Sequence, residues 1–229
     1  MKRSVIWLLL FFLHDFSASS QEARIISVTP GKKVMDVLTL EDLYNYPQFV
    51  PGTVTYQNGK STTALMNYHV FFDEMRMLRN SDTVPLGNPD ISFVTVRNDT
   101  FQREQFFYKV VRDYGKMRLV ARKVFALVDS PHTPEDTSRF KLRYSVLNSG
   151  RFLKDIAPID TLRLAVFEMY YIANVQNKLM PIHRSTLIDL YPHKRKAVLE
   201  YLSQQKVNVY DRGAIIAFLD FVTQKNYNF

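Results

Sequence analysis

The chain has 229 residues, 46% apolar and 23% charged, with a formal net charge of +8. These are globular proportions for one ordinary domain or two small ones, and they exclude wholesale disorder. Cys is absent and the 7 glycines are widely spaced, which excludes disulfides, iron–sulfur clusters, thiolate-bound zinc, thiol nucleophiles, glycine-rich phosphate loops and dinucleotide fingerprints.

Lys2 and Arg3 precede an apolar run, Val5–Leu13, and the small polar stretch Ser17-Ala18-Ser19-Ser20. A positive n-region, a short apolar core and a small-x-small site (Ala18 and Ser20 before Gln21, with Ser17 and Ser19 a near-equal alternative) form the layout of a secretory signal peptide over residues 1–20. The run is too short for the roughly twenty residues a membrane helix needs, and no Cys follows it to carry a lipid. The later apolar stretch Leu164–Ala173 is interrupted by Glu168. The expectation is an exported protein in the periplasm or outside the cell. It is soluble or peripherally envelope-associated, with no transmembrane segment after cleavage. Loss of Lys2, Arg3 and Asp15 takes the charge from +8 to +7.

Residues 21–50 read as an irregular lead-in. Thr39 could cap a short helix over 40–43, and Pro47 and Pro51 stop anything longer. From Pro51 the pattern is β. Thr53–Tyr56 and Ser61–Val70 flank Asn58-Gly59, a dipeptide that supplies the positive φ a hairpin turn requires. Phe71–Leu78 reads as a further strand, ended by Arg79–Asp82. Ile91–Arg97 is a strand closed by Asn98-Asp99, and Asn98-Asp99-Thr100, a glycosylation sequon by pattern, reads as turn residues. Phe106–Val111 and Lys116–Leu127 form a meander across Asp113-Tyr114-Gly115. Neither face of the last of these is purely polar, so both faces should be partly covered.

Ser130–Ser138 is the clearest loop. Phe140–Val146 reads as a strand, and Leu162–Ala173 with Lys178–His183 as a hairpin across 174–177. The period then changes from 2 to 3.6. Ser185 begins a short helix. Pro192 sits in the first turn of a second, with Val198, Leu199, Tyr201 and Leu202 inward and Lys194, Arg195 and Lys196 outward. Asp211 caps a third, with Ile215, Phe218, Leu219 and Val222 on one face. The expected fold is α+β: an antiparallel β module over 51–183 made of hairpins and a meander, with two or three short helices over 184–229 packed on it as a cap.

Pro51-Gly52-Thr53-Val54, Asn58-Gly59-Lys60, Leu65-Met66-Asn67-Tyr68 and Asp73-Glu74-Met75 resemble the opening of a family of uncharacterised exported proteins of Bacteroidota-type bacteria. Leu187-Ile188-Asp189-Leu190-Tyr191-Pro192, followed by Lys194 and two further helices, is similar to their ending. The resemblance implies a sheet-rich module with helical ends. It implies no reaction, and no functional residue is carried over from it.

The residues themselves offer little chemistry. The four histidines of the mature chain, His69, His132, His183 and His193, are not paired at helical spacing. His132 with Asp129, Glu135 and Asp136 is the best metal constellation, and it reads as a solvated loop. Ser138–Lys141 and Ser203–Lys206 match S-x-x-K without the partner motifs of that enzyme class. Asp73 and Glu74 are neighbours on an extended segment, so they should point to opposite faces. The only Trp, Trp7, lies in the leader, which weakens a saccharide-processing reading. No catalytic, cofactor or metal residue is assigned, and no cofactor is expected.

His183-Arg184 and His193–Lys196 are the densest basic patch. Export argues against nucleic acid as their partner, and Lys194, Arg195 and Lys196 are left as candidate contacts to an anionic surface. The function expected is a non-enzymatic binding or scaffolding module of the bacterial envelope, acting on an envelope protein or an anionic surface. The alternative is a hydrolase whose site is assembled from distant residues, for which His69 meeting an acid in a pocket would be the sign.

Overall fold

In the computed structural model, residues 23–87, 89–128, 144–147 and 150–223 are described. The architecture is a large antiparallel sheet followed by short C-terminal helices, as the change of period predicts. The strands are β1 (Arg24–Val28), β2 (Val50–Tyr56), β3 (Ser61–His69), β4 (Glu74–Arg79), β5 (Asp82–Pro85), β6 (Ile91–Val96), β7 (Asp99–Arg103), β8 (Phe107–Asp113), β9 (Met117–Val128), β10 (Tyr144–Val146), β11 (Leu162–Asn174) and β12 (Leu179–Pro181). They hydrogen-bond in the order β1-β11-β9-β8-β7-β6-β2-β3-β4-β5, with β10 joined to β9 and β12 to β11.

The sheet begins earlier than the alternation suggests. Residues 24–28, within the expected lead-in, pair antiparallel with Leu162–Val166 of β11. Their local pattern is too short to announce a strand, and the partner lies far along the chain. Two single-turn helices follow, α1 (Val34–Val37) and α2 (Leu40–Leu43). Thr39 and Asp42 form a reciprocal capping box on α2, as the capping residue predicts. The expected strand 71–78 is a turn through residue 73 followed by β4. The short strands β5 and β7 add to what the alternation predicts. Of the expected strand 140–146, residues 140–143 lie outside the described residues, and 144–146 pair with β9.

The sheet curls. Phe71, just past β3, meets Phe125 of β9 edge-on with ring centroids 5.0 Å apart. Those strands are five positions apart in the sheet order, which in a flat sheet means about 24 Å. One concave face therefore closes on a single core that draws Ile26, Val54, Met66, Met75, Val94, Phe101, Phe125 and Leu164 from strands all along the path. The strand β9 is buried on both faces, as its mixed pattern predicts. Leu119 and Ala121 pack with Tyr170 and Ile172 under the helices, while Val120 lies with Tyr108 and Ala173 on the opposite side.

The helices are α3 (Arg184–Asp189), α4 (Arg195–Gln204) and α5 (Arg212–Thr223). Ile215, Phe218, Leu219 and Val222 are all buried, as their spacing predicts. Asp211 Oδ1 accepts from the Ala214 N–H at 2.6 Å, the expected N-cap. On α4, Val198 and Leu202 are buried, but Leu199 is 39% exposed. Successive helical residues turn by about 100°, so Val198 and Leu202 share one face and Leu199 lies at its edge, on the rim.

Candidate functional site

The most concentrated polar chemistry among the described residues lies where the sheet parts. Pairing of β8 with β9 ends at Ala121, and pairing of β10 with β9 starts at Ala126. The Val70–Asp73 turn fills the gap. Arg122 and Phe125 point to opposite faces of β9, and the turn serves both, with Phe71 on Phe125 and Asp73 on Arg122. Asp73 holds φ 55, a left-handed conformation that Asp tolerates better than most residues.

Asp73 Oδ2 accepts from the Arg122 guanidinium and its Oδ1 accepts from the Tyr68 hydroxyl. Both charged side chains are only 4% exposed. The guanidinium carbon lies 3.8 Å from the centroid of the Phe106 ring, a close cation–π contact. Burial raises the Asp73 carboxyl against the pull of the arginine. Burial would lower Arg122, but the charge and hydrogen bond of Asp73, with Tyr68 and Tyr108, together outweigh it, and the guanidinium is held more firmly protonated. Burial and the charge of Asp73 push the Tyr68 hydroxyl well up, so it stays a donor.

A small recess adjoins this cluster, lined by Asn45, Tyr68, Lys109, Lys123 and Glu168 among others, with a cavity of about 10 Å³, room for about one water molecule. Lys109 pairs with Asp99 at 2.9 Å, and Asp99 also accepts from the Tyr46 hydroxyl at 2.6 Å. Burial lowers the Lys123 ammonium, partly offset by Glu168. Asp99 thus serves both Lys109 and Tyr46, and the space is too small for a substrate. The arrangement ties the β3–β4 turn to β9 and is a structural strut.

The residues singled out from the sequence fall elsewhere. His69 is buried, with its ring stacked on Phe72 at 4.3 Å and edge-on to Tyr44 at 4.7 Å. Its Nδ1 accepts from the Phe72 N–H at 3.1 Å. The charges that act on it are Arg76 and Arg151, and together with burial they lower it to about 4. It is a neutral core residue and meets no acid among the described residues. Asp73 and Glu74 go to different arginines, but by way of the left-handed turn at Asp73 and not by the alternation of an extended segment. Glu74 pairs with Arg76 at 2.8 Å and with Arg151. The His132 loop with Asp129, Glu135 and Asp136, and the first S-x-x-K pair, lie outside the described residues. Ser203 is exposed near the end of α4.

Of the basic trio, Lys194 reaches back to the Val222 carbonyl at 3.2 Å and so caps the C-terminal end of α5. Arg195 sits 3.6 Å from Asp189, both well exposed. Lys196 is exposed. The trio is thus divided between holding two helices together and facing solvent.

A polar groove of about 410 Å³ lies at the strand ends, lined by Gln57, Ser92, Arg103, Glu104 and Asn177 with Pro89 and Ile91. The sequence carried no sign of it, because its walls come from four separate turns.

The Arg122–Asp73 strut was legible only as an anomaly. An arginine in the middle of Leu119–Leu127, a run that reads as covered on both sides, must find a carboxylate or leave the core. Which carboxylate it finds depends on how the sheet curls.

No family model fits the chain, and no curated protein or solved structure matches it.

Proposed function

We propose that this chain is an exported, non-enzymatic binding or scaffolding module of the bacterial envelope, and that it recognises a partner protein by adding a strand to its sheet. One observation carries this reading. Ser61–Leu65 of β3 is hydrogen-bonded to β2 on one side, while the ladder to β4 covers only Met66–His69. The open stretch, Ser-Thr-Thr-Ala-Leu, has no charge and no proline. Its side chains are mostly exposed, Leu65 at 42%.

The contrast with the terminal strand supports it. There β5 is four residues long, starts with Asp82 and ends with Pro85, the devices by which sheets blunt an edge against unwanted pairing. The β3 stretch has none of them. An extended segment laid along it would gain backbone hydrogen bonds, with alternate side chains contacting the sheet face.

A photo-crosslinking residue in place of Leu65, in cells, is the test. It should capture a discrete envelope protein, and Thr63→Lys, an edge charge at an exposed position, should abolish the adduct. The same crosslinker in place of Val175, 70% exposed in the β11–β12 turn, should capture nothing. Equal capture from both positions, or an adduct that persists with Thr63→Lys, would refute strand addition. Mass determination of the mature N-terminus tests export; an intact residue 1 on protein recovered from cytosol would refute it.

A further inference from the structure

The segment between β10 and β11 presents apolar side chains outward. Ile159 is 93% exposed, Phe152 63% and Ile156 41%. Leu153 between them is buried in the main core, so the segment is anchored. Its backbone is braced on both sides: Leu153 N–H donates to the Gly150 carbonyl at 2.9 Å and Ile156 N–H to the Leu153 carbonyl at 3.0 Å. The stretch ahead of α1 ties down the far half. Val34 N–H donates to the Ile156 carbonyl at 3.2 Å and Gly31 N–H to the Pro158 carbonyl at 3.3 Å.

These two bonds bring Lys32 and Lys33, both exposed, alongside Ile156 and Ile159. Lys154, half exposed, extends from the same loop and has, among the described residues, only a 3.6 Å contact with the exposed Asp155. Asp160 is the other exposed acid of the loop. The result is a braced projection with three apolar tips and lysines on its flanks. Single exposed apolar residues are commonplace on protein surfaces. Three on one anchored loop, including an isoleucine almost wholly in water, form a patch with a use.

We infer that this projection docks the protein on the surface of an anionic phospholipid bilayer. Ile159, Phe152 and Ile156 enter the boundary between headgroups and acyl chains. Lys32, Lys33 and Lys154 lie along it with their ammonium groups among the phosphates. The mature chain's net charge of +7 complements such a surface and draws the protein to it. Three apolar tips on one loop suit a fluid interface, whereas a folded protein partner needs a broader fitted area. This docking is separate from strand addition at β3, and either holds without the other.

The mature chain, residues 21–229, is tested by co-sedimentation with vesicles of phosphatidylcholine alone or mixed with phosphatidylglycerol. Binding is expected to the mixed vesicles. It should fall about tenfold or more with Phe152→Ser and Ile159→Ser together, by loss of apolar insertion. It should fall about tenfold with Lys32→Gln and Lys33→Gln together. All four positions are exposed, and unchanged circular dichroism would verify that the fold is intact.

The mature chain contains no tryptophan, so Ile159→Trp gives a single reporter. Its emission should shift to the blue on adding mixed vesicles and be quenched by brominated lipid. Absence of binding, binding that ignores the serine pair, or a tryptophan that stays in water in a bound protein would each overturn the inference. Failure here, with the Leu65 crosslink intact, removes the bilayer contact and leaves the strand-addition reading standing.

Discussion

His69 makes the protein's stability depend on pH in a defined direction. It is 2% exposed, and burial, with the charges of Arg76 and Arg151, lowers its pKa from 6.5 to about 4. The unfolded chain therefore binds a proton that the folded chain refuses between those two values. A group lowered in the folded state contributes stability above its unfolded pKa and loses it as the pH falls toward the folded one. A difference of 2.5 between those values, at about 1.36 kcal/mol per unit, makes the loss about 3 kcal/mol between pH 6.5 and 4.

Urea unfolding followed by circular dichroism at a series of pH values measures it. Asp73, whose carboxyl is raised, acts with the opposite sign: its contribution is greatest at low pH and is lost as the pH rises through its folded value. The diagnostic quantity is therefore the difference between the wild type and a variant without His69. His69→Phe keeps the stack on Phe72 but loses the acceptor for the Phe72 N–H, a cost of about 1–3 kcal/mol at every pH. His69→Asn keeps a short acceptor and loses the ring. Both should flatten the pH dependence in this window relative to wild type. If the wild-type and variant curves stay parallel from pH 7 to pH 4, His69 is not buried in neutral form and the reasoning fails.

Removing one partner of the Arg122–Asp73 pair should cost about 3–5 kcal/mol, because it strands a buried charge. Asp73→Asn isolates that term, since Asn accepts the left-handed backbone, and Arg122→Met added to it should restore part of the loss in the same urea titration. Asp211→Ala, at the α5 N-cap, should cost about 1 kcal/mol, with Asp211→Asn close to wild type by thermal melting. Gly150→Ala would drive a Cβ into the Phe71 ring and should destabilise by about 1–3 kcal/mol. Phe71→Leu should relieve part of that cost, so the double variant should be more stable than the sum of the singles in a double-mutant cycle.

Several features were legible in the residues alone because they depend on near neighbours. The Asn58-Gly59 turn places Gly59 at φ 78. The apolar spacing of α5 and the Asp211 cap are each set within a few residues. In β9, the lack of a polar face announced a strand covered on both sides. The spacing of α4 announces the buried Val198 and Leu202, while Leu199, one residue on, lies at the edge of that face and is 39% exposed. The strands β5 and β7 are not legible, because four or five residues carry too little alternation to stand out.

What the chain order by itself determined was a succession of hairpins and then helices, together with the exclusions that follow from having no cysteine. Only tertiary structure decided that residues 24–28 close one end of the sheet against β11, that Asp73 reaches an arginine 49 residues away, and that Lys32 and Lys33 lie beside Ile156. Those choices are made by curl and register. A buried face selects them by accommodating some side chains and excluding others, and no local stretch of residues contains that information.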